Sequence, residues 1–343
     1  MWPALVSRPK LSAIITCHNY KEYVGEAISS VHGQTYENLE CIIIDDASTD
    51  GSVVEIRKIL KTLADPRFRL VEAMENLGQM GAMLVALGEA TGDFIGFLDA
   101  DDIWCEDFVE RHIAAHLNHI RSAGMSCCDM GVIGKDRQLL TGTYMALDKS
   151  KAIKGGQLSV IKPAIRSKDM PEQDNFSLTP DQIFYLEQTK PAMWTFSPTS
   201  ACVFRRDLLT LIAPRDTTGF RKSADYYFIM LASILTGCLI IEKVCCYYRI
   251  HGANVFSSHP VVGGTWISGQ WAEDENKKSM MKIIQAMNQN YGQLSSVFGR
   301  WQVLEAVRKL NHDFSVLEMK RIAPLIFDDL FPWKLKNWKI FKA

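Results

Sequence analysis

The sequence carries no excess of charge of either sign. Its 343 residues include 38 Lys and Arg against 39 Asp and Glu, which gives a formal net charge of −1 at pH 7. Proteins that bind nucleic acid normally present a basic excess on one face. We therefore expect no nucleic-acid partner.

Long apolar runs and paired cysteine motifs are also missing. Apolar stretches such as residues 237–248 end well before the ~20 residues that a membrane-spanning helix needs. Residues 1–20 do not show the basic leader and apolar run of a signal peptide, and the nine cysteines include no CxxC spacing. This pattern is typical of reduced, partly buried thiols in a cytoplasmic protein, and we expect that localisation.

Three catalytic signatures are absent as well. The sequence contains no GxxxxGK(S/T) loop, no GxSxG elbow and no GxGxxG fingerprint. These absences disfavour a P-loop protein, a serine hydrolase and a dinucleotide-binding protein.

The sequence does contain a regular alternation of strand-like and helix-like segments. The predicted strands cover residues 11–17, 39–44, 67–73 and 93–98, and the predicted helices cover 23–31, 52–63 and 78–90. Parallel neighbours need crossover helices, so this pattern predicts an α/β fold with a mainly parallel sheet. Ligands of such sheets bind beyond the carboxyl ends of the strands, where polar clusters follow the first, second and fourth strands here.

The pattern loosens after residue 102. We predict a helix over residues 104–119, with His112, His116 and His119 on a solvated polar face. We interpret residues 135–195 as an insertion because the segment is polar, poorly periodic and too long for a plain loop. The expected division is an α/β domain over 1–258, with halves 10–115 and 116–258, followed by a helical extension over 259–343.

Three carboxylates are crowded into the segment Asp99-Ala100-Asp101-Asp102. Like charges repel at the end of an apolar strand, and a divalent cation would neutralise them. Mg²⁺ or Mn²⁺ held by one or two carboxylates and substrate phosphates fits the preference of hard cations for oxygen. The alternative is a solvated turn in which an Asp caps a helix that begins at Trp104.

A second polar cluster, DDASTDGS at residues 45–52, follows the buried run 42–44. Ser48 or Asp50 can cap the next helix. Capping does not account for Asp45 and Asp46 at the end of the strand. A carboxylate there can accept hydrogen bonds from a nucleobase edge or a ribose hydroxyl.

Four segments together resemble the inverting glycosyltransferases of family 2, which have the nucleotide-binding, Rossmann-like GT-A fold. They are TCHNY at 16–20, DDASTDGS at 45–52, NLG at 76–78 and GDFIGFLDADD at 92–102, in that order. The resemblance covers residues 10–115 and, more loosely, 195–255. It implies a hexosyltransferase with a nucleotide-diphosphate sugar donor, UDP-sugars being the first candidates, and Mn²⁺ or Mg²⁺ as cofactor.

The resemblance also implies roles for individual residues. The nucleotide-sugar would be bound by a set from the four segments: Thr16, Asn19, Tyr20, Asp45 or Asp46 at the base, Gly78, Asp99 and Ala100. The metal would be ligated by Asp101, with Asp99 as a supporting ligand.

Asp225 begins an apolar helix, where an acid often serves as an N-cap or as a first-turn residue favoured by the helix dipole. In the family that the sequence resembles, an acid before an aromatic helix is the catalytic base, and we interpret Asp225 in this way. Glu172, Asp174 and Asp181 in the insertion are less favoured candidates.

Arg249 and His251 follow a predicted strand and precede a Gly turn. Related enzymes often carry a similar segment that reaches the diphosphate or the metal. Arg249 would then neutralise phosphate charge, and His251 would be a further metal ligand or a phosphate donor. The alternative is a capped strand end with a surface histidine.

These residues predict a metal-dependent inverting transferase that moves a sugar to a hydroxyl of a glycan or a lipid-linked acceptor. Two alternatives stay open: a non-catalytic nucleotide-sugar or glycan-binding module on the same fold, and a sugar-nucleotide pyrophosphorylase. The pyrophosphorylase would need a basic, Gly-rich loop near the N-terminus, which the sequence lacks.

The C-terminal residues 331–342 combine aromatic side chains with four Lys and no acid. Such a segment suits the interface of an anionic membrane, and it would give the protein a peripheral contact at the inner face of that membrane. The alternative is a tail that packs on the body of the protein or on a second subunit of a homo-oligomer.

Overall fold

The computed structural model of the chain describes residues 7–144, 183–187, 196–215, 217, 224–252, 254, 270–310 and 314–330. Its strands are β1 (Leu11–Cys17), β2 (Leu39–Asp45), β3 (Phe68–Glu72), β4 (Phe94–Asp99), β5 (Ile103–Trp104), β6 (Met125–Gly134), β7 (Leu139–Thr141), β8 (Ile183–Leu186), β9 (Cys202–Arg205) and β10 (Cys238–Ile250). Most of the insertion predicted at 135–195, including Glu172, Asp174 and Asp181, lies outside the described residues.

The helices alternate with the strands at first and then dominate the C-terminal part. They are α1 (Val24–His32), α2 (Ser52–Leu63), α3 (Gly78–Glu89), α4 (Phe108–Asn118), α5 (Arg206–Ile212), α6 (Ala224–Thr236), α7 (Gln270–Gln289), α8 (Tyr291–Phe298), α9 (Arg300–Leu310), α10 (Val316–Ile322) and α11 (Pro324–Leu330). Within the described residues, no helix combines the length and the apolar character that crossing a bilayer requires.

The described strands form one mixed sheet in the order β3-β2-β1-β4-β9-β6-β10-β5, with β7 on β6 and β8 on β10. β1 to β4 are mutually parallel, and β10 is parallel to β6, while β9 runs antiparallel between β4 and β6. The predicted α/β fold with a mainly parallel sheet is confirmed. Register places Thr16 beside Asp99 and Cys17 beside Asp45, so the polar clusters meet at one edge.

The helix predicted over 104–119 begins later in the structure. Ile103 and Trp104 form β5 and pair with Tyr247 and Cys246 of β10, and α4 begins only at Phe108. The Trp104 ring stacks on Phe108 with a centroid distance of 4.1 Å. Pairing with a strand about 140 residues away therefore overrides the local helical tendency.

Each face of the sheet has its own hydrophobic core, because successive side chains of a strand point to opposite faces. α1, α2 and α4 cover the face that carries Ile15 and Ile43. α3, α5, α6 and the helices after residue 270 cover the face that carries Ile14 and Ile42. The C-terminal helices therefore share a continuous core with the sheet.

The prediction of a solvated histidine face on α4 is wrong for two of its members. His112 is fully buried and His116 is 7% exposed, because α4 lies against the sheet. The His112 Nδ1 is 2.7 Å from the Ser126 hydroxyl, and the His116 ring packs on Phe94. Burial lowers the pKa of His116 to about 3 and the pKa of His112 well below its ordinary value.

Candidate active site

A cavity of about 940 Å³ opens at the carboxyl edge of the sheet. This volume lies within the range of about 300–1,000 Å³ that is usual for small-molecule sites. Nine residues singled out in the sequence line it: Thr16, Asn19, Tyr20, Asp46, Gly78, Asp99, Ala100, Asp101 and His251. Three others, Asp45, Arg249 and Asp225, do not line the cavity.

The loop after β1 is fastened to the loop after β2. Asn19 has a φ of 63°, a left-handed conformation that Asn tolerates better than most residues. Its side-chain oxygen accepts the Thr49 N–H at 2.7 Å, and its own N–H donates to the Ser48 hydroxyl at 2.9 Å. These contacts give one wall of the cavity a fixed shape.

Asp46 and Asp45 have different surroundings. The two Asp46 oxygens accept the N–H groups of Leu77 and Gly78 at 2.6 and 2.9 Å, and Gly78 has a φ of 74°. Asp45 is 1% exposed, and one of its oxygens accepts the Ser48 N–H at 2.9 Å. Of the two candidates for base contact, Asp46 is therefore the one that faces the cavity, and a carboxylate retains acceptor capacity beyond two hydrogen bonds.

The three carboxylates of the segment 99–102 lie in different environments. Burial, together with the charges of Asp101 and Asp225, raises the pKa of Asp99 to about 7, although hydrogen bonds from Thr16 and Gln79 oppose the rise. Asp102 is fully buried and accepts the Arg249 N–H at 3.0 Å. The suggestion that an Asp here caps a helix at Trp104 is wrong, because Asp102 instead joins the segment to β10.

Asp101 and His251 can together offer an oxygen and a nitrogen ligand. The His251 Nε2 is 3.1 Å from an Asp101 oxygen, and both residues line the cavity. In the described part of the chain, no group of three or more His, Cys, Asp or Glu side chains is arranged to hold a metal unaided. The donor set fits a divalent ion that is also ligated by substrate phosphates, and it does not fit a closed protein cage.

Arg249 has a different environment from the one predicted. It is 1% exposed, and its guanidinium donates to the Asp101 and Lys135 carbonyls at 2.8 and 3.0 Å and to Glu26 at 2.5 Å. These partners occupy all three guanidinium nitrogens. Arg249 does not line the cavity, so the structure gives no support to the predicted phosphate contact, and Arg249 instead fastens the acidic segment to α1 and to the end of β6.

Asp225 stands in the first turn of α6, where one oxygen accepts the Tyr226 N–H at 2.8 Å. Burial raises its pKa, against the effect of that hydrogen bond. Gln79 connects this helix to the cavity, since its side-chain oxygen accepts the Ala224 N–H at 3.3 Å and its side chain also bonds Asp99. Asp225 is therefore close enough to the cavity for its charge to act on Asp99.

Sequence reasoning missed several further lining residues, among them His18, Asn76, Gln79 and Lys135. His18 and Asn76 stand inside segments that had been recognised, but no charge pattern marked them. Lys135 directly follows β6, whose carboxyl end lies at the same edge as those of β1 and β4. The topological rule that located the acidic clusters would have found it, had β6 been assigned to the parallel set.

Comparison with known proteins identifies the family. Residues 12–142 match the family model described as Glycosyl transferase family 2. An uncharacterized glycosyltransferase of Nostoc sp. is 30% identical over 245 residues, which cover 71% of this chain and 66% of the relative. The chain belongs to glycosyltransferase family 2. It spans 66%, 36% and 62% of the length of the Nostoc relative and of two relatives from Haemophilus influenzae.

Two further likenesses extend the comparison of this family 2 chain. The UDP-Glc:α-D-GlcNAc-diphosphoundecaprenol β-1,3-glucosyltransferase WfgD of Escherichia coli is 35% identical over 109 residues, 32% of this chain and 42% of the relative. The chain also aligns with the crystal structure of S. aureus TarS in complex with UDP, with a TM-score of 0.54 and 15% sequence identity. The alignment covers 91% of this chain and 74% of the TarS chain. The TarS likeness shows a shared GT-A fold.

Proposed function

We propose that this chain is an inverting glycosyltransferase that takes a sugar from a nucleotide-diphosphate donor, with a UDP-sugar as the first candidate. The acceptor is a hydroxyl of a glycan or of a lipid-linked sugar. The observation that carries the proposal is the grouping of Asp99, Asp101 and His251 in one cavity, with Asp225 close enough to act on Asp99. In this proposal residues 1–258 form the transferase domain and residues 259–343 a helical extension.

The comparisons support the choice of donor and acceptor. WfgD is named as an enzyme that uses UDP-Glc and a diphosphoundecaprenol-linked acceptor. TarS has been crystallised with UDP and with UDP-GlcNAc. A lipid-linked acceptor also agrees with the basic, aromatic composition of residues 331–342.

Asp101 and His251 would hold the Mn²⁺ or Mg²⁺ ion, with Asp99 close by. When bound, such an ion supplies Lewis-acid stabilisation of the charge that grows on the departing diphosphate. The high pKa of Asp99, caused by burial and by neighbouring carboxylates, supports a cation here, because a cation would relieve that repulsion.

The remaining chemistry falls to residues of the chain. Thr16, Asn19, Asp46 and Gly78 line the cavity, and in this proposal the first three contact the nucleotide while Gly78 lets the backbone approach it. Asp225 takes the proton of the acceptor hydroxyl as that hydroxyl attacks the anomeric carbon from the face opposite the diphosphate. Burial raises the pKa of Asp225 and makes it a stronger base than an exposed Asp.

The test compares Asp225→Asn with Asp207→Asn. Asp207 also stands in the first turn of a helix and accepts the next residue's N–H at 2.8 Å, but it does not line the cavity at the carboxyl edge. Asp225→Asn should lower UDP release from a UDP-sugar and acceptor by about 10²–10⁴-fold and leave UDP affinity unchanged. Asp207→Asn should keep wild-type turnover.

Four outcomes would contradict the scheme. Equal losses in the two variants would remove Asp225 from the role of base. A product that retains the donor's anomeric configuration would exclude single displacement. Binding of UDP-sugars without turnover of any acceptor would favour the binding module. Conversion of a UDP-sugar and added pyrophosphate to UTP and a sugar 1-phosphate would favour the pyrophosphorylase.

We also propose that residues 331–343, which lie outside the described residues, contact an anionic membrane. Removal of the residues after Pro332 should abolish co-sedimentation with phosphatidylglycerol-containing vesicles, because the four Lys and the aromatic side chains are lost. Unchanged sedimentation would exclude the membrane contact. If light scattering shows fewer subunits per particle for the truncated protein than for the full chain, the tail would instead be assigned to a homo-oligomer contact.

A further inference from the structure

The ring of Tyr23 contacts two side chains from the end of β10, His251 and Arg249. Its centroid is 4.8 Å from the His251 ring, at an interplanar angle of 28°, which is a stacked arrangement. The guanidinium carbon of Arg249 lies 5.2 Å from the same centroid. Tyr23 is therefore in contact with His251, the ligand proposed for the metal, and with the buried arginine that fastens the acidic segment.

Strand geometry explains why both side chains meet the same ring. Residues two apart in an extended chain point to the same side. Arg249 is the penultimate residue of β10, and His251 directly follows the strand. Tyr23 and Glu26 are three residues apart at the start of α1, a spacing that brings side chains to neighbouring positions. Glu26 binds Arg249, and Tyr23 covers both Arg249 and His251.

Hydrogen bonds fix the Arg249 guanidinium on several sides, whereas the His251 ring is fixed by fewer of them. Arg249 has hydrogen bonds to the backbone of residues 101 and 135 and to Glu26. Among the described residues, the His251 ring has one hydrogen-bond contact, between its Nε2 and Asp101 at 3.1 Å. Two aromatic rings also contact it: Tyr23 stacks on it, and Tyr20 meets it edge-on with a centroid distance of 5.8 Å.

We propose that Tyr23 is a positioning residue, whose ring, braced by Arg249, holds the His251 imidazole in the orientation that points Nε2 at Asp101. The proposal rests on the proposed function, since it assigns Tyr23 a part in binding the diphosphate with its cation. A side chain with two rotatable bonds needs such packing to keep one rotamer. Groups that orient a metal ligand typically contribute 10–100-fold to metal affinity.

The test compares Tyr23→Leu with Tyr23→Phe in the full chain. Phe keeps the ring and removes only the hydroxyl, whereas Leu keeps apolar volume and removes the ring. The first measurement is the ¹H–¹³C spectrum of the histidine rings, with the His251 signals assigned through His251→Gln. The second is the affinity for UDP by calorimetry, with Mn²⁺ and with EDTA.

Tyr23→Phe should keep the His251 signals and the UDP affinity of the wild type. Tyr23→Leu should move the His251 ring protons downfield, because the stacked ring current is lost. It should also weaken UDP binding roughly tenfold in Mn²⁺ and leave it unchanged in EDTA. A loss of UDP affinity in EDTA as large as in Mn²⁺ would mean general damage to the cavity and would overturn the proposal.

Other results separate this inference from the proposed function. His251 signals that are the same in the Leu and Phe variants would overturn the positioning role, whatever the affinities. Shifted signals with equal Mn²⁺-supported affinities would overturn the link to the cation. Wild-type UDP affinity that does not depend on Mn²⁺ would overturn the metal site of the proposed function, while the histidine spectra would still decide whether Tyr23 orients His251.

Discussion

Lowering the pH from 7.5 to 5.5 should destabilise the folded chain through His112 and His116. Both rings are buried by α4 against the sheet. Burial, with the charge of Arg111 adding to it, lowers the pKa of His112, and burial together with the charge of Arg205 lowers the pKa of His116 to about 3. The folded protein therefore keeps both rings neutral at pH 5.5, while the unfolded chain binds protons there.

The magnitude follows from proton linkage. An unfolded histidine titrates near pH 6.5, so at pH 5.5 its protonation favours the unfolded state by about 1.4 kcal/mol, and at pH 7.5 by less than about 0.1 kcal/mol. Two buried rings together cost about 2.7 kcal/mol over this interval. Their contribution to stability is complete above pH 6.5 and is lost as the pH falls toward the folded-state pKa values.

The assay is urea unfolding of the wild type, His116→Phe and His112→Gln at both pH values. Each variant removes one titratable imidazole, so the change in unfolding free energy between the two pH values should shrink by about 1.4 kcal/mol. Leu117→Gln is the control, because it is 59% exposed at the end of α4 and adds no titratable group. A wild-type pH response in His116→Phe would refute the argument that burial keeps this ring neutral.

Three further substitutions test a position in α3, the packing beside β1 and the hydrogen bonds of the buried Glu40. Gly88→Ala should stabilise the chain by up to about 1 kcal/mol in thermal unfolding, since the added Cβ meets nothing within 4 Å in α3. Gly92→Ala should destabilise it by about 1–3 kcal/mol, because the Cβ would lie 2.6 Å from the Ser12 nitrogen, and an increase in stability would contradict this packing. Glu40→Gln should cost about 1.5–3 kcal/mol, because the buried carboxylate accepts hydrogen bonds from Ser12, Thr91 and Arg69, and a melting temperature equal to the wild type would be evidence against that network.

The elements that depend on local pattern were predictable from the sequence. β1 and α2 have the predicted bounds, Leu11–Cys17 and Ser52–Leu63, because an unbroken β-branched run and a clear helical periodicity specify them. The acidic clusters meet at one edge because parallel strands share a direction, which sequence order alone implies. Nine of the singled-out residues line one cavity for the same reason.

The features that depend on distant partners were not predictable. Trp104 belongs to a strand because β10 lies beside it, and Arg249 is buried because Glu26 and two distant carbonyls satisfy it. His112 is buried because it meets Ser126 across the helix–sheet interface. A buried polar residue with a distant partner has the same local sequence as an exposed one, so polarity alone assigned these residues to solvent or to ligand.

The position of β9 in the sheet constrains how the chain is made. β9 lies between β4 and β6, although it follows β4 by about 100 residues and β6 by about 70. During synthesis, β4 and β6 therefore leave the ribosome with open edges, and these edges stay unpaired until residue 205 has emerged. Residues 12–142, the segment that carries the family signature, lack β9 and β10, so that β4 would lose one neighbouring strand and β6 two. We therefore expect this segment to expose unpaired strand edges and to aggregate when it is expressed alone.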